Sequence, residues 1–178
     1  MILTFSSTPA QSDDARLVES GKADKLVTPP TASELKIVSY NIRWRSGAEL
    51  QQITRWLKEA AASRPAIIGL QEVDRAKKRS GRVNHAKALA DSLGMYYAWT
   101  APHPKARSAE EETGVAILSP YPLTEVTRIV LPNPGPGGRV RVAIGPTVNL
   151  SEPPASAGGR QKIRVYSLHS ETRLSIAE

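Results

Sequence analysis

Cysteine is absent from the 178-residue sequence, phenylalanine occurs once, and aromatic residues make up only 5%. Without thiols the chain can form no disulfide, no thiolate zinc site and no cysteine nucleophile. That absence fits a cytoplasmic and a secreted protein equally, so the compartment stays open. The few aromatics are not interleaved with the basic stretches, which argues against an extended base-stacking surface. No apolar run approaches the ~18 residues of a membrane span. Met1 to Phe5 is a very short apolar start with no basic residues ahead of it, which gives a secretory signal poor support. What the chain does have is 40% hydrophobic and 23% charged residues, enough for one substantial core in a soluble globular domain. It carries 24 Lys and Arg against 17 Asp and Glu, a formal +7 with a pI near 9.9. Such a balance favours an anionic partner, for example a phosphate-bearing substrate.

Residues 1–34 hold three basic and five acidic residues and scatter Ser, Pro and Asp without a period of 2.0 or 3.6. They are expected to form a mobile leader to a domain spanning 35–178. From Leu35 the pattern changes. LKIVSYNI reads as a mostly buried strand, and AELQQITRWLKEAAAS as a helix whose Leu50, Ile53, Leu57 and Ala60 share one face. AIIGLQEV is apolar until Gln71 and Glu72, as expected of a strand covered on both faces that ends in a polar mouth. A second helix face joins Val83, Ala86, Leu89, Ala90 and Leu93, with Gly94 as its C-cap. MYYAW, TGVAILS, TEVTRIVL, RVRVAIGPTVNL and KIRVYSL supply five further strands, for about seven strands and two helices in all.

Three polar residues stand where apolar strands run out: Asn41, Glu72 and His169. Strand ends facing one mouth commonly build sites in layered α/β folds. Each also has an ordinary structural reading, as turn former, solvated strand end and core histidine. A carboxylate after an apolar run is costly to bury without a cation. Mg²⁺ suits Glu72, because it is held by one or two carboxylates with waters and phosphate oxygens, and Asn41 can orient a ligand beside it. The run RAKKRSGR carries Arg75, Lys77, Lys78, Arg79 and Arg82 and reads as a solvated charged stretch rather than a polyanion guide, with Asp74 as a loop partner. His85 and His103 are expected to be structural, and Trp44 to pack rather than to line a substrate wall. Gly135, Gly137 and Gly138 alternate with proline and no helix follows, which excludes a phosphate-cradling P-loop.

SYNIRW, LQEVD with the following RSG, GVAILSPYP and VYSLHSET stand in an order and spacing that resemble the endonuclease/exonuclease/phosphatase superfamily, from Leu35 to about Arg173. The resemblance implies an α/β (α+β) fold, a four-layer α/β/β/α sandwich of which this chain holds roughly the first half. It implies a metal-dependent phosphoesterase using Mg²⁺, or Mn²⁺ in its place. Glu72 becomes the principal metal ligand with Asn41 in the mouth beside it, and His169 contacts the scissile phosphate or acts as an acid. Arg139 and Arg141, two apart and so on one face of a strand, are candidates for the family's phosphate-facing arginine. A phosphodiester of nucleic acid is the favoured substrate, ahead of a phospholipid or sugar phosphate. The family also resembles this chain incompletely, for its G-D-x-N and S-D-H segments have no counterpart here. The chain as given is therefore expected to hydrolyse no phosphodiester, and an inactive remnant or basic binding module is the alternative.

Overall fold

The computed structural model describes residues 16–29, 34–103, 112–135, 138–150 and 161–170. Its elements run β1 (Val18–Lys22), β2 (Lys36–Asn41), α1 (Gly47–Ala61), β3 (Ala66–Arg75), α2 (His85–Leu93), β4 (Tyr96–Thr100), β5 (Glu112–Ser119), β6 (Leu123–Val130), β7 (Val142–Asn149), β8 (Lys162–Arg164) and β9 (Ser167–Leu168). A single 3₁₀ turn at Lys78–Ser80 follows β3.

Five strands form one sheet in the order β1-β4-β5-β3-β2, with β2 and β3 parallel and joined by α1. The second sheet has the order β6-β7-β8, and β9 also pairs with β7. β8 and β9 keep one register along β7, and the break between them lies opposite Pro146. Proline has no N–H to donate, so the ladder is interrupted there and one sequence run becomes two short strands.

The central strands of the first sheet, β3, β4 and β5, are buried on both faces. Ile53 and Leu57 of α1 with Leu89 and Leu93 of α2 pack on Ile68, Leu70, Leu118 and Trp99. On the opposite face Ile67, Ala98, Val115 and Ile117 meet Val142, Ile144 and Val148 of the second sheet. Among the described residues the layers are thus helices, sheet and sheet. Alternate residues of β3 serve the two cores, which explains why its sequence is nearly continuously apolar. Each fully buried aliphatic side chain contributes about 1.5–3 kcal/mol over its exposed state.

Two glycines are dictated by contact. A Cβ on Gly114 would lie 1.9 Å from the Thr100 carbonyl oxygen, so only glycine lets β5 lie so close to the end of its neighbour β4. Gly94 caps α2 at φ +67, as its sequence position suggests.

Three further departures from the sequence reading concern β1, β2 and β3. The expected leader contributes β1, paired antiparallel with β4 from Val18–Thr100 to Lys22–Tyr96, and Leu17 and Ala23 are buried at its ends. Residues 1–15 and 30–33 lie outside the described residues. β2 is an edge strand rather than a mostly buried one, and Ile37 is 59% exposed because the second sheet does not reach over it. β3 runs on to Arg75 rather than ending at Glu72, by way of a bulge between Gln71 and Val73.

Candidate active site

The bulge decides where Glu72 points. Glu72 takes φ 56, a left-handed conformation costly for a side chain of its size. It turns the carboxylate out of the strand's alternation, leaving Val73 and Asp74 fully buried. Asn41, the last residue of β2, donates from Nδ2 to Glu72 Oε1 at 2.9 Å, and its Oδ1 accepts from the Arg43 N–H at 2.9 Å. The amide therefore braces the carboxylate with one end and the following turn with the other. His169, just past β9, brings Nε2 to 3.9 Å from the same Oε1. The side chains of His169 and Glu72 are about a third and a quarter exposed, at 30% and 26%. The three sequence-predicted residues are thus gathered at one mouth by β2, β3 and β9.

Ser167 fixes the approach of β9. Its hydroxyl donates to the Leu70 carbonyl at 3.2 Å and accepts from Gln71 Nε2 at 3.5 Å, tying the second sheet to β3 one step before the bulge. Carrying the β7–β9 register onward sets His169 opposite Val142 and Ser170 opposite Arg141. Arg141 precedes β7 and Arg139 forms an isolated bridge with Gly135, so the two arginines do not share a strand face as expected. Beside Asn41 an open cleft of ≈ 460 Å³ is lined by Tyr40, Asn41, Ile42, Arg43, Arg45 and Ile53.

Behind the mouth lies a cluster that sequence reasoning only partly found. Buried Asp74 accepts from Arg79 Nε and Nη2 at 2.8 and 2.9 Å and from the Thr113 hydroxyl at 2.6 Å. Burial works to raise the Asp74 pKa, but the bonds from Arg79 and Thr113 outweigh it and hold the carboxyl below its ordinary range. Arg79 is raised in turn, chiefly by its bond to Asp74. Its guanidinium lies 4.5 Å from the centroid of the Trp44 ring. Trp44 is 43% exposed and so does not pack as expected. The basic run is likewise not all solvated, since Arg75 stacks on Trp99 at 4.1 Å and donates to Arg16 O at 2.8 Å. His85 is buried as a structural histidine, and burial lowers its pKa, whereas His103 is exposed. The five-residue spacing of Asp74 and Arg79 was the available signal for the clamp; no sequence signal marks the left-handed turn that carries Trp44.

The profile of the Endonuclease/Exonuclease/phosphatase family matches residues 38–175. The chain belongs to this family. A solved endonuclease/exonuclease/phosphatase family protein from Leptotrichia buccalis C-1013-b superposes with a TM-score of 0.53 at 17% identity, over 78% of this chain and 55% of that one. The likeness is one of fold, and this chain spans about half the length of that family member. No curated protein matches it. Among the described residues no group of three or more His, Asp or Glu could hold a metal ion by protein atoms alone. The donor set is one braced carboxylate, which suits Mg²⁺, a cation that keeps several waters and takes its other ligands from substrate phosphate.

Proposed function

We propose that this chain supplies the metal-binding and phosphate-contacting part of a divalent-metal phosphoesterase site that acts on a phosphodiester. The observation that carries the reading is the convergence of Asn41 and His169 on one oxygen of Glu72. Glu72 would hold the cation, with Asn41 fixing the carboxylate's orientation. A Mg²⁺ ion bound there supplies charge neutralisation for a phosphoryl group. His169 is a poor ligand for a hard cation but a good N–H donor, so it serves a phosphoryl oxygen beside Glu72. Arg141, which the β7–β9 register carried onward sets opposite Ser170, is the phosphate-facing arginine of this reading, and Arg139 is its second candidate. The net charge of +7 attracts a polyanion to the mouth, which supports nucleic acid as substrate over a phospholipid or sugar phosphate.

Calorimetric titration of Mg²⁺ into the 178-residue chain tests the assignment. Glu72→Gln is expected to weaken the ion by at least about tenfold. His169→Ala is expected to keep Mg²⁺ affinity and to lose affinity for dimethyl phosphate. Equal Mg²⁺ affinity in Glu72→Gln and the native chain would remove the basis of the reading.

A further inference from the structure

Trp44 occupies a place that ordinary packing does not explain. It follows Arg43 in a pair of consecutive left-handed residues, φ 48 and φ 47, immediately after β2. Neither is glycine, and such strain persists only where the surroundings enforce it; it concentrates at ligand-binding positions. Here the enforcement is visible. The Trp44 N–H donates to the Glu72 carbonyl at 2.9 Å, the Arg45 N–H donates to Ile42 O at 3.0 Å, and Arg43 is held by Asn41. The turn therefore ties the indole to the same residue that carries the metal-binding carboxylate.

The ring is also held from outside. Arg79 lies over it, and Arg79 cannot swing away without breaking its two bonds to buried Asp74 and a third to the Thr113 hydroxyl at 2.9 Å. An indole so fixed has little freedom left to lose, yet 43% of the residue remains in solvent. A surface cation–π pair that served stability alone would need neither the strained turn nor a buried carboxylate to aim its arginine.

We propose that Trp44, held by Arg79, is a substrate-binding platform that stacks one planar base of a nucleic-acid strand whose phosphodiester lies at Glu72. This rests on the phosphoesterase reading and names the residue that would hold a base of its nucleic-acid substrate. A single indole serves one base, in keeping with a chain too poor in aromatics for a longer stacking track. Arg43 and Arg45, which line the cleft beside Asn41, supply the accompanying cationic rim.

The test is binding without turnover. Fluorescence anisotropy in EDTA compares oligothymidylate with an abasic phosphodiester strand of the same length and charge, using the whole 178-residue chain. The native chain is expected to prefer the base-bearing strand by about tenfold, the scale of one stacked base. Trp44→Ala should bind both strands alike, and Trp44→Phe should keep most of the preference, which separates lost stacking from lost folding. Glu72→Gln should keep the preference while losing Mg²⁺, so a failure of the metal assignment and a failure of the platform read differently. Equal binding of both strands by the native chain, or an undiminished preference in Trp44→Ala, would overturn the proposal. A blue-shifted Trp44 emission on phosphatidylserine vesicles, with no preference between the strands, would assign the indole to a lipid surface and overturn it as well.

Discussion

Glu72 and Asp74 are two residues apart on β3 and meet opposite circumstances. Glu72 keeps 26% of its side chain open and takes a hydrogen bond from Asn41, whereas Asp74 has none exposed and is saturated by Arg79 and Thr113. The first is left able to bind a cation and the second is already neutralised. Asp74→Ala is therefore expected to cost about 1–3 kcal/mol in urea unfolding, limited by the half-open Arg79 end of the pair. Because the folded-state pKa of Asp74 is depressed, its contribution is complete above the ordinary 3.8 and lost as pH falls through the lower native value. His85 titrates against folding in a separate window. It is buried with its pKa lowered from 6.5, so below pH 6.5 the unfolded chain binds a proton that the folded chain refuses. Stability is expected to fall as pH drops from 6.5, and His85→Leu should flatten that slope in pH-dependent thermal melts while leaving the Asp74 step at lower pH.

At the scale of elements, patterning made both helices legible. The apolar spacings at Ile53 and Leu57 and at Leu89 and Leu93 correspond to the faces that pack on the first sheet. The polar residues that interrupt or follow the apolar runs, Asn41, Glu72 and His169, are brought together, Asn41 and His169 from beside strand ends and Glu72 from a bulge within β3. What patterning cannot carry is context. β1 has too few apolar residues to alternate, and it forms because β4 presents a free edge and Leu17 and Ala23 find burial at its two ends. β2 has the composition of a central strand and lies at an edge, since strand order is set by tertiary pairing. The bulge at Glu72 and the turn at Trp44 use left-handed backbone at non-glycine residues, for which the local sequence carries no warning. Gly114 offers a direct check on the close approach of β5 to the end of β4. Gly114→Ala drives a methyl into the Thr100 carbonyl and is expected to destabilise the chain by about 3 kcal/mol, read as a lowered urea midpoint.

Across the whole molecule, apolar surface and charge are unevenly distributed. Ile37 projects from β2 on the face turned toward the second sheet with nothing described above it. Tyr166 and Leu168 are about half exposed beside β7, and Ile129 is 37% exposed on β6. Exposed apolar side chains of this kind favour association. The 178-residue chain is expected to bind ANS and to self-associate with rising concentration in sedimentation experiments, and Ile37→Lys with Leu168→Lys should reduce both. A net charge of +7 opposes like-with-like contact at low ionic strength, so added salt should strengthen the self-association while weakening binding to nucleic acid.

A divalent cation in the proposed site would bind at one carboxylate, that of Glu72, braced by Asn41 and faced by His169. NMR of the chain titrated with Mn²⁺ tests it most directly, because paramagnetic broadening reports the ion's position without requiring turnover. Early loss of the Asn41 side-chain amide and His169 ring signals is expected, with the Lys87–Asp91 surface of α2 unaffected and those signals recovered in Glu72→Gln. Broadening centred on other acidic residues, or the same loss at Asn41 and His169 in Glu72→Gln, would contradict it.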